Sequence, residues 1–203
     1  MKYVALFRGI NVGGKNVAKM NDLKQLFLEL GMHKVRTYIQ SGNVVFETGL
    51  DKESLQSVIY TGFSERFGFE SNVIIRDINE IEVLIERLPF SAEEITAAEA
   101  ADPEVEHLYV CFLEHIPNPT LIDDICKEYV GPDTLQLGKN EIYFLCHQSI
   151  RKSKLAIRTA KIFNSSTVRN WKTVNKLYDM LNSHAYEPNK MTELTSPGSL
   201  KNI

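Results

Sequence analysis

The chain has 203 residues, 43% of them apolar and 24% charged, an ordinary globular composition with room for one large domain or two small ones. A net charge of −3 argues against a generally basic nucleic-acid binder, and the N-terminal apolar run Tyr3–Phe7 is too short for a signal peptide or a membrane span. The expected setting is the cytoplasm, with no membrane partner. There Cys111, Cys126 and Cys146, far apart and without a C-x-x-C, read as small buried hydrophobes. The histidines show no ligand spacing, so neither a metal nor another cofactor is expected.

Lys2–Arg8 alternates and is rich in β-formers, which predicts a strand. Leu23, Leu26, Phe27 and Leu30 form one helix face, with Asn21 as the expected N-cap and Gly31 as a left-handed stop. Lys34–Gln40 and Val44–Thr48 read as a hairpin turning at Ser41-Gly42-Asn43. Asp51 caps a second helix whose expected buried stripe carries Leu55, Val58, Ile59, Phe63 and Phe67, with the permissive Gly62 on it. Asn72–Arg76 is a fourth strand, and Ile81, Leu84, Ile85 and Leu88 mark a helix that Pro89 ends. The order βαββαβ plus a helix is ferredoxin-like, an antiparallel sheet with helices on one face.

Residues 90–106 form an acidic connector, suited to a short surface helix or a linker. The pattern then partly repeats. His107–Glu114 is a strand, Asn118-Pro119 starts a helix, and Thr134–Leu137 with Glu141–Cys146 makes a hairpin. Two helices follow, about Lys154–Phe163 and Val168–Leu181. The expected architecture is α+β: a ferredoxin-like lobe over 1–89, the connector over 90–106, a second, related α+β lobe with extra C-terminal helices over 107–184, and a tail over 185–203.

The loop Arg8-Gly-Ile-Asn-Val-Gly-Gly-Lys15-Asn16 lies one residue from the phosphate-cradling G-x-x-x-x-G-K-[ST]. Three departures exclude a P-loop: the apolar helical pattern starts only at Leu23, Asn16 replaces the Mg²⁺-binding hydroxyl, and the order of elements is not that of a parallel sheet. Arg8, Asn11, Lys15, Asn16 and the amides of Gly13 and Gly14 still offer clustered donors for an anion. The alternative is a connection whose glycines only permit unusual dihedrals. The hairpin tip, Gln40, Ser41 and Asn43, is a second donor-rich turn at the same end of such a sheet.

Ser165–Thr173 reads SSTVRNWKT, with Thr167 or Asn170 as the cap of the last helix and Arg169 and Lys172 in its first turn. Cations there oppose the helix dipole, which suits an external anion or the acidic segment near 93–106. Asp77–Glu106 holds ten acids and one base, whereas Arg151–Lys176 holds eight bases and no acid, so the two regions either neutralise each other or the basic one meets an anionic partner.

Together RGINVGGKN, TYIQSGNVVFE and RNWKTVNKL resemble one uncharacterised, mainly bacterial family known only as a domain of unknown function. The likeness covers about Met1–Leu181, and its motif positions are Arg8, Gly9, Asn11, Gly13, Gly14, Lys15, Gln40–Asn43, Arg169–Trp171 and Thr173. The resemblance implies an α+β fold with ferredoxin-like lobes and supplies no activity.

The leading expectation is a site for a small anionic ligand, phosphorylated or nucleotide-like, between the lobes. Its candidate residues are Arg8, Asn11, Gly13, Gly14, Lys15, Asn16, Gln40, Ser41, Asn43, Arg169, Asn170 and Thr173. Catalysis is left open, since no nucleophile–base–orienter set stands out. The alternatives are a structural or oligomerising protein and an RNA-binding module, the last weakened because Gly42-Asn43-Val44-Val45-Phe46 offers one aromatic where an RRM strand alternates several.

Overall fold

The computed structural model describes residues 1–127 and 129–183. The expected tail over 185–203 lies outside the described residues. Lobe 1 runs β1 (Lys2–Phe7), α1 (Met20–Glu29), β2 (His33–Tyr38), β3 (Asn43–Glu47), α2 (Lys52–Phe67), β4 (Val73–Asp77) and α3 (Ile78–Glu86). The connector folds as α4 (Ala92–Ala101), capped by a reciprocal box between Ser91 and Glu94. Lobe 2 runs β5 (Leu108–Phe112), α5 (Pro119–Lys127), β6 (Thr134–Leu137), β7 (Glu141–Leu145), α6 (Lys154–Ile162), β8 (Thr167–Asn170) and α7 (Trp171–Asn182).

The sheets have orders β2-β3-β1-β4 and β6-β7-β5-β8, all pairs antiparallel, so each lobe is βαββαβ followed by a helix. Period-2 alternation sends Tyr3, Ala5 and Phe7 of β1 toward α1 and α2, and Val4 and Leu6 to the other face. In lobe 2, Cys111, Ile142 and Phe144 join the side of α5 and α6, while Val110, Phe112 and Tyr143 face the other way. The two remaining sheet faces share one core with α3, α4 and α7 between the lobes.

The registers of the inner strands correspond between the lobes. Val4 pairs with Arg76 as Val110 pairs with Arg169, and Leu6 pairs with Asn43 as Phe112 pairs with Glu141. Equivalent positions are therefore Arg76 and Arg169, Asp77 and Asn170, Asn43 and Glu141.

Three sequence expectations are corrected. The span about Val168–Leu181 is not one helix. Thr167–Asn170 is the strand β8, which pairs with β5 and completes the second βαββαβ, and the helix starts at Trp171 under the Asn170 cap. Arg169 thus lies upstream of the helix rather than in its first turn. The N-cap of α1 is Lys19, in extended conformation and without a side-chain cap, because the helix opens at Met20 ahead of Asn21. Finally, β2 ends at Tyr38 instead of Gln40, because Ile39 turns into the left-handed region at φ +47°.

Candidate functional site

The Gly-rich loop folds as a small β-ribbon finger. Lys15 N–H donates to Val12 O at 3.1 Å, Asn11 N–H donates to Asn16 O at 3.0 Å, and Gly13 and Gly14 sit between them at φ +58° and +73°. Two consecutive positive φ values mark a type I′ turn. Its base is tied down: the Asn11 amide donates to Ala18 O (2.8 Å) and Gln40 O (2.9 Å), and its oxygen accepts from Ala18 N–H (2.9 Å). Gln40 therefore meets the loop through its backbone carbonyl. Val12 and Val17 remain exposed on the finger.

Arg8 and Arg169 cross the lobe boundary. Arg8 donates to Ser166 O at 3.1 Å. Arg169 engages all five of its N–H groups inside the protein. Nε reaches the Asn43 side-chain oxygen (2.6 Å), one terminal nitrogen reaches the Thr167 hydroxyl (2.7 Å) and Val168 O (2.9 Å), and the other reaches Phe7 O and Ser41 O (both 2.8 Å). Burial pulls this guanidinium from its ordinary 12.5 down to about 10, and it stays cationic near neutral pH. Asn43, fully buried, orients its oxygen by donating its amide to Tyr38 O and the Ser41 hydroxyl. Arg169 is thus a pin between β8 and the lobe 1 hairpin, with no N–H left to donate to a ligand.

Around this pin lies an open groove of about 440 Å³, within the range of small-molecule sites. Ile39 and Ser41 of lobe 1 line it together with Ile157 and Ala160 of α6. Arg151, the end of β8 and Thr173 complete the lining, which holds two arginines and no carboxylate. Tyr109 also lines it. Its hydroxyl donates to Glu106 O at 3.0 Å, and burial pushes its ionisation up to about 12. Asn170 caps α7 by accepting from Thr173 N–H at 2.9 Å.

The equivalent place in the other half is acidic. Asp77 stands for Asn170, Glu80 for Thr173 and Glu141 for Asn43, and all three acids border a smaller recess of about 200 Å³. Lys52 pairs with Glu80 at 2.5 Å, and Lys139 sits on the same rim. Arg76, the twin of Arg169, reaches Leu113 O and Asn140 O, but its Nε is buried without a partner. Glu141 instead accepts from the backbone N–H of Lys139 and Asn140 in its own turn.

The structure therefore brings Ser41, Arg169, Asn170 and Thr173 together at the groove, with Asn43 directly behind. Gly13, Gly14, Lys15 and Asn16 belong to the separate finger and do not line the groove. Lys172, in the first turn of α7, pairs with Glu106 at 2.7 Å. Ile39, Arg151, Ile157 and Ala160 line the groove as well and were not among the residues expected there. Arg151 carried the faint signal of the basic run, whereas the apolar three read as ordinary strand and helix positions. Among the described residues no group of three or more His, Cys, Asp or Glu is placed to hold a metal ion, and no helix is long and apolar enough to cross a membrane.

Fold and site together define a two-lobed α+β protein, made of twin ferredoxin-like halves clasped by reciprocal arginines. Residues 1–143 match a family described as proteins of unknown function, DUF1697, and the chain belongs to it. The chain is similar to a solved structure, the conserved bacterial protein SP0830 from Streptococcus pneumoniae, with a TM-score of 0.66 and 25% identity over 89% of this chain and 98% of that one. No curated protein matches it.

Proposed function

We propose that the groove between the lobes binds a small anionic ligand, phosphorylated or nucleotide-like. The observation that carries this reading is the charge of the lining: Arg151 and Arg169 with no acid. Grooves of similar size elsewhere carry Glu53 and Glu114 (about 420 Å³) or Glu99 and Glu106 (about 500 Å³). An unopposed guanidinium favours an anion, and no carboxylate in the lining competes for it. The acid-free first turn of α7 adds to the same potential. Arg151 is the cation available to touch the ligand, and Arg169 acts through its field and by fixing the Ser41 wall. No His, Asp, Glu or Lys lines the groove, so the reading is one of binding.

RNA recognition in the RRM manner is disfavoured for a physical reason. That mode needs the helix-free sheet face open for stacking. Here Val4, Leu6, Val45 and Ile74 on that face are buried in the core the lobes share.

The test is a thermal-shift screen of nucleoside monophosphates, sugar phosphates and small carboxylates. A hit at a hundred times its dissociation constant stabilises the wild type by roughly 2.7 kcal/mol. Ala160→Trp, which fills the groove from an exposed helix position, removes that shift, and Arg151→Glu weakens it. A hit that shifts all three proteins alike places the ligand elsewhere.

A further inference from the structure

Resting on that reading, we infer that the ligand is amphipathic, with an apolar body held between Ile39 and Ile157 and an anionic end toward Arg151. These isoleucines come from opposite lobes and line one groove, yet they stay 51% and 44% exposed. Ala156, Ile150 and Val168 extend the same apolar surface beneath them. Inorganic phosphate would leave all of it wet.

Ile39 is the more telling of the pair. A β-branched residue at φ +47° is a steric outlier, since its branched Cβ crowds the backbone in the left-handed region. Folding gains little back at this position, because the side chain stays out of the core. In the same turn the other positive φ, +74°, falls to a glycine, Gly42. Strain retained by an exposed apolar side chain on a groove wall is accounted for when a ligand covers that side chain. Ile39 is therefore assigned as a specificity-determining contact for the apolar body.

The experiment is titration calorimetry with inorganic phosphate, n-hexanol and the n-butyl, n-hexyl and n-octyl phosphates, on wild type and Ile39→Gly. The expected result is phosphate-ester affinity that tightens about three- to four-fold per added methylene, with hexanol and inorganic phosphate each at least ten-fold weaker than hexyl phosphate. Ile39→Gly keeps or raises Tm, because glycine accepts the backbone angle, while hexyl phosphate weakens about ten-fold and inorganic phosphate is unchanged. Separating stability from affinity in this way excludes a merely structural role.

Equal affinity for inorganic phosphate and every ester overturns the apolar-body assignment and leaves the anion site standing. Failure of every probe overturns both. Unchanged hexyl phosphate affinity in Ile39→Gly removes Ile39 from the contact. A concentration-dependent dimer that Ile39→Gly abolishes names a second copy of the chain as the occupant, which also overturns the assignment.

Discussion

Arg169 meets Asn43 across 126 positions of sequence, its Nε–H donating to the amide oxygen at 2.6 Å, both side chains buried. Its twin Arg76 reaches back from lobe 1 to lobe 2 but leaves Nε without a partner. The two clasps lock the halves in opposite directions, and the better satisfied one borders the groove.

Arg169→Met leaves the buried Asn43 Oδ1 without a donor, takes one of two donors from Phe7 O, where the Thr167 hydroxyl remains at 3.4 Å, and removes one from the part-buried Ser41 O. Each orphaned buried group costs roughly 1–3 kcal/mol, so the expected loss of unfolding free energy is about 3 kcal/mol or more. Arg169→Lys does not rescue it, because three donors on one nitrogen do not span the guanidinium fork. By contrast, Lys172→Ala removes an exposed partner of Glu106 and leaves the urea midpoint unchanged. Equal midpoint shifts for Arg169→Met and Lys172→Ala would refute the clasp.

Glycines in the two turns differ in what surrounds them. A Cβ at Gly42 falls 2.5 Å from Ile10 Cδ1 and 2.8 Å from Phe7 Cβ, whereas one at Gly13 meets nothing within 4 Å. Both carry positive φ. Gly13→Ala is expected to cost about 1 kcal/mol from backbone strain alone, and Gly42→Ala about 2–4 kcal/mol once overpacking is added. Urea denaturation of both variants measures the gap, and equal losses would mean that the hairpin tip relaxes freely around Ile10.

Alkaline stability follows from the buried thiols. Burial raises Cys111 to about 11 and Cys146 to about 12, from an ordinary 9.0. The unfolded chain ionises its thiols first, so their contribution is complete below pH 9 and is lost as pH climbs toward 12. Each raised group steepens the decline by about 1.4 kcal/mol per pH unit within its window. Urea unfolding under reductant, at pH 8 and then 10.5, should show a shallower fall in Cys146→Ala than in wild type. Parallel pH profiles would show that the thiol is not held neutral by its surroundings.

The end of α7 depends on the other lobe. Arg36 of β2 donates to Met180 O and to the Ser183 hydroxyl (2.8 Å), placing a cation at the helix C-terminus where the dipole favours it. Arg36→Ala should speed amide hydrogen exchange in the last turn of α7 while leaving that of α1 and α2 unchanged. Uniform exchange across both lobes would show that this contact does not hold the helix end.

Much of the scaffold was legible because it is set within a few residues of chain. Alternation over Lys2–Phe7 marks β1, the Asp51 side chain meets Ser54 N–H at 2.8 Å to open α2, and the Leu23-Leu26-Phe27 spacing marks α1. The strand Thr167–Asn170 escaped notice because four residues carry too little period. Its identity comes from pairing with Tyr109–Phe112, far away in sequence. The same holds for RNWKT: the string announces cations near a helix start, and only the fold decides that Arg169 turns inward to Asn43 while Lys172 turns out to Glu106. The groove was beyond reach of any local pattern, since its lining residues Ile39 and Ile157 lie in different lobes and border one groove only once the halves share a core. Local spacing determined most of the elements, while long-range pairing made β8 and long-range burial decided which side chains stay exposed on the groove.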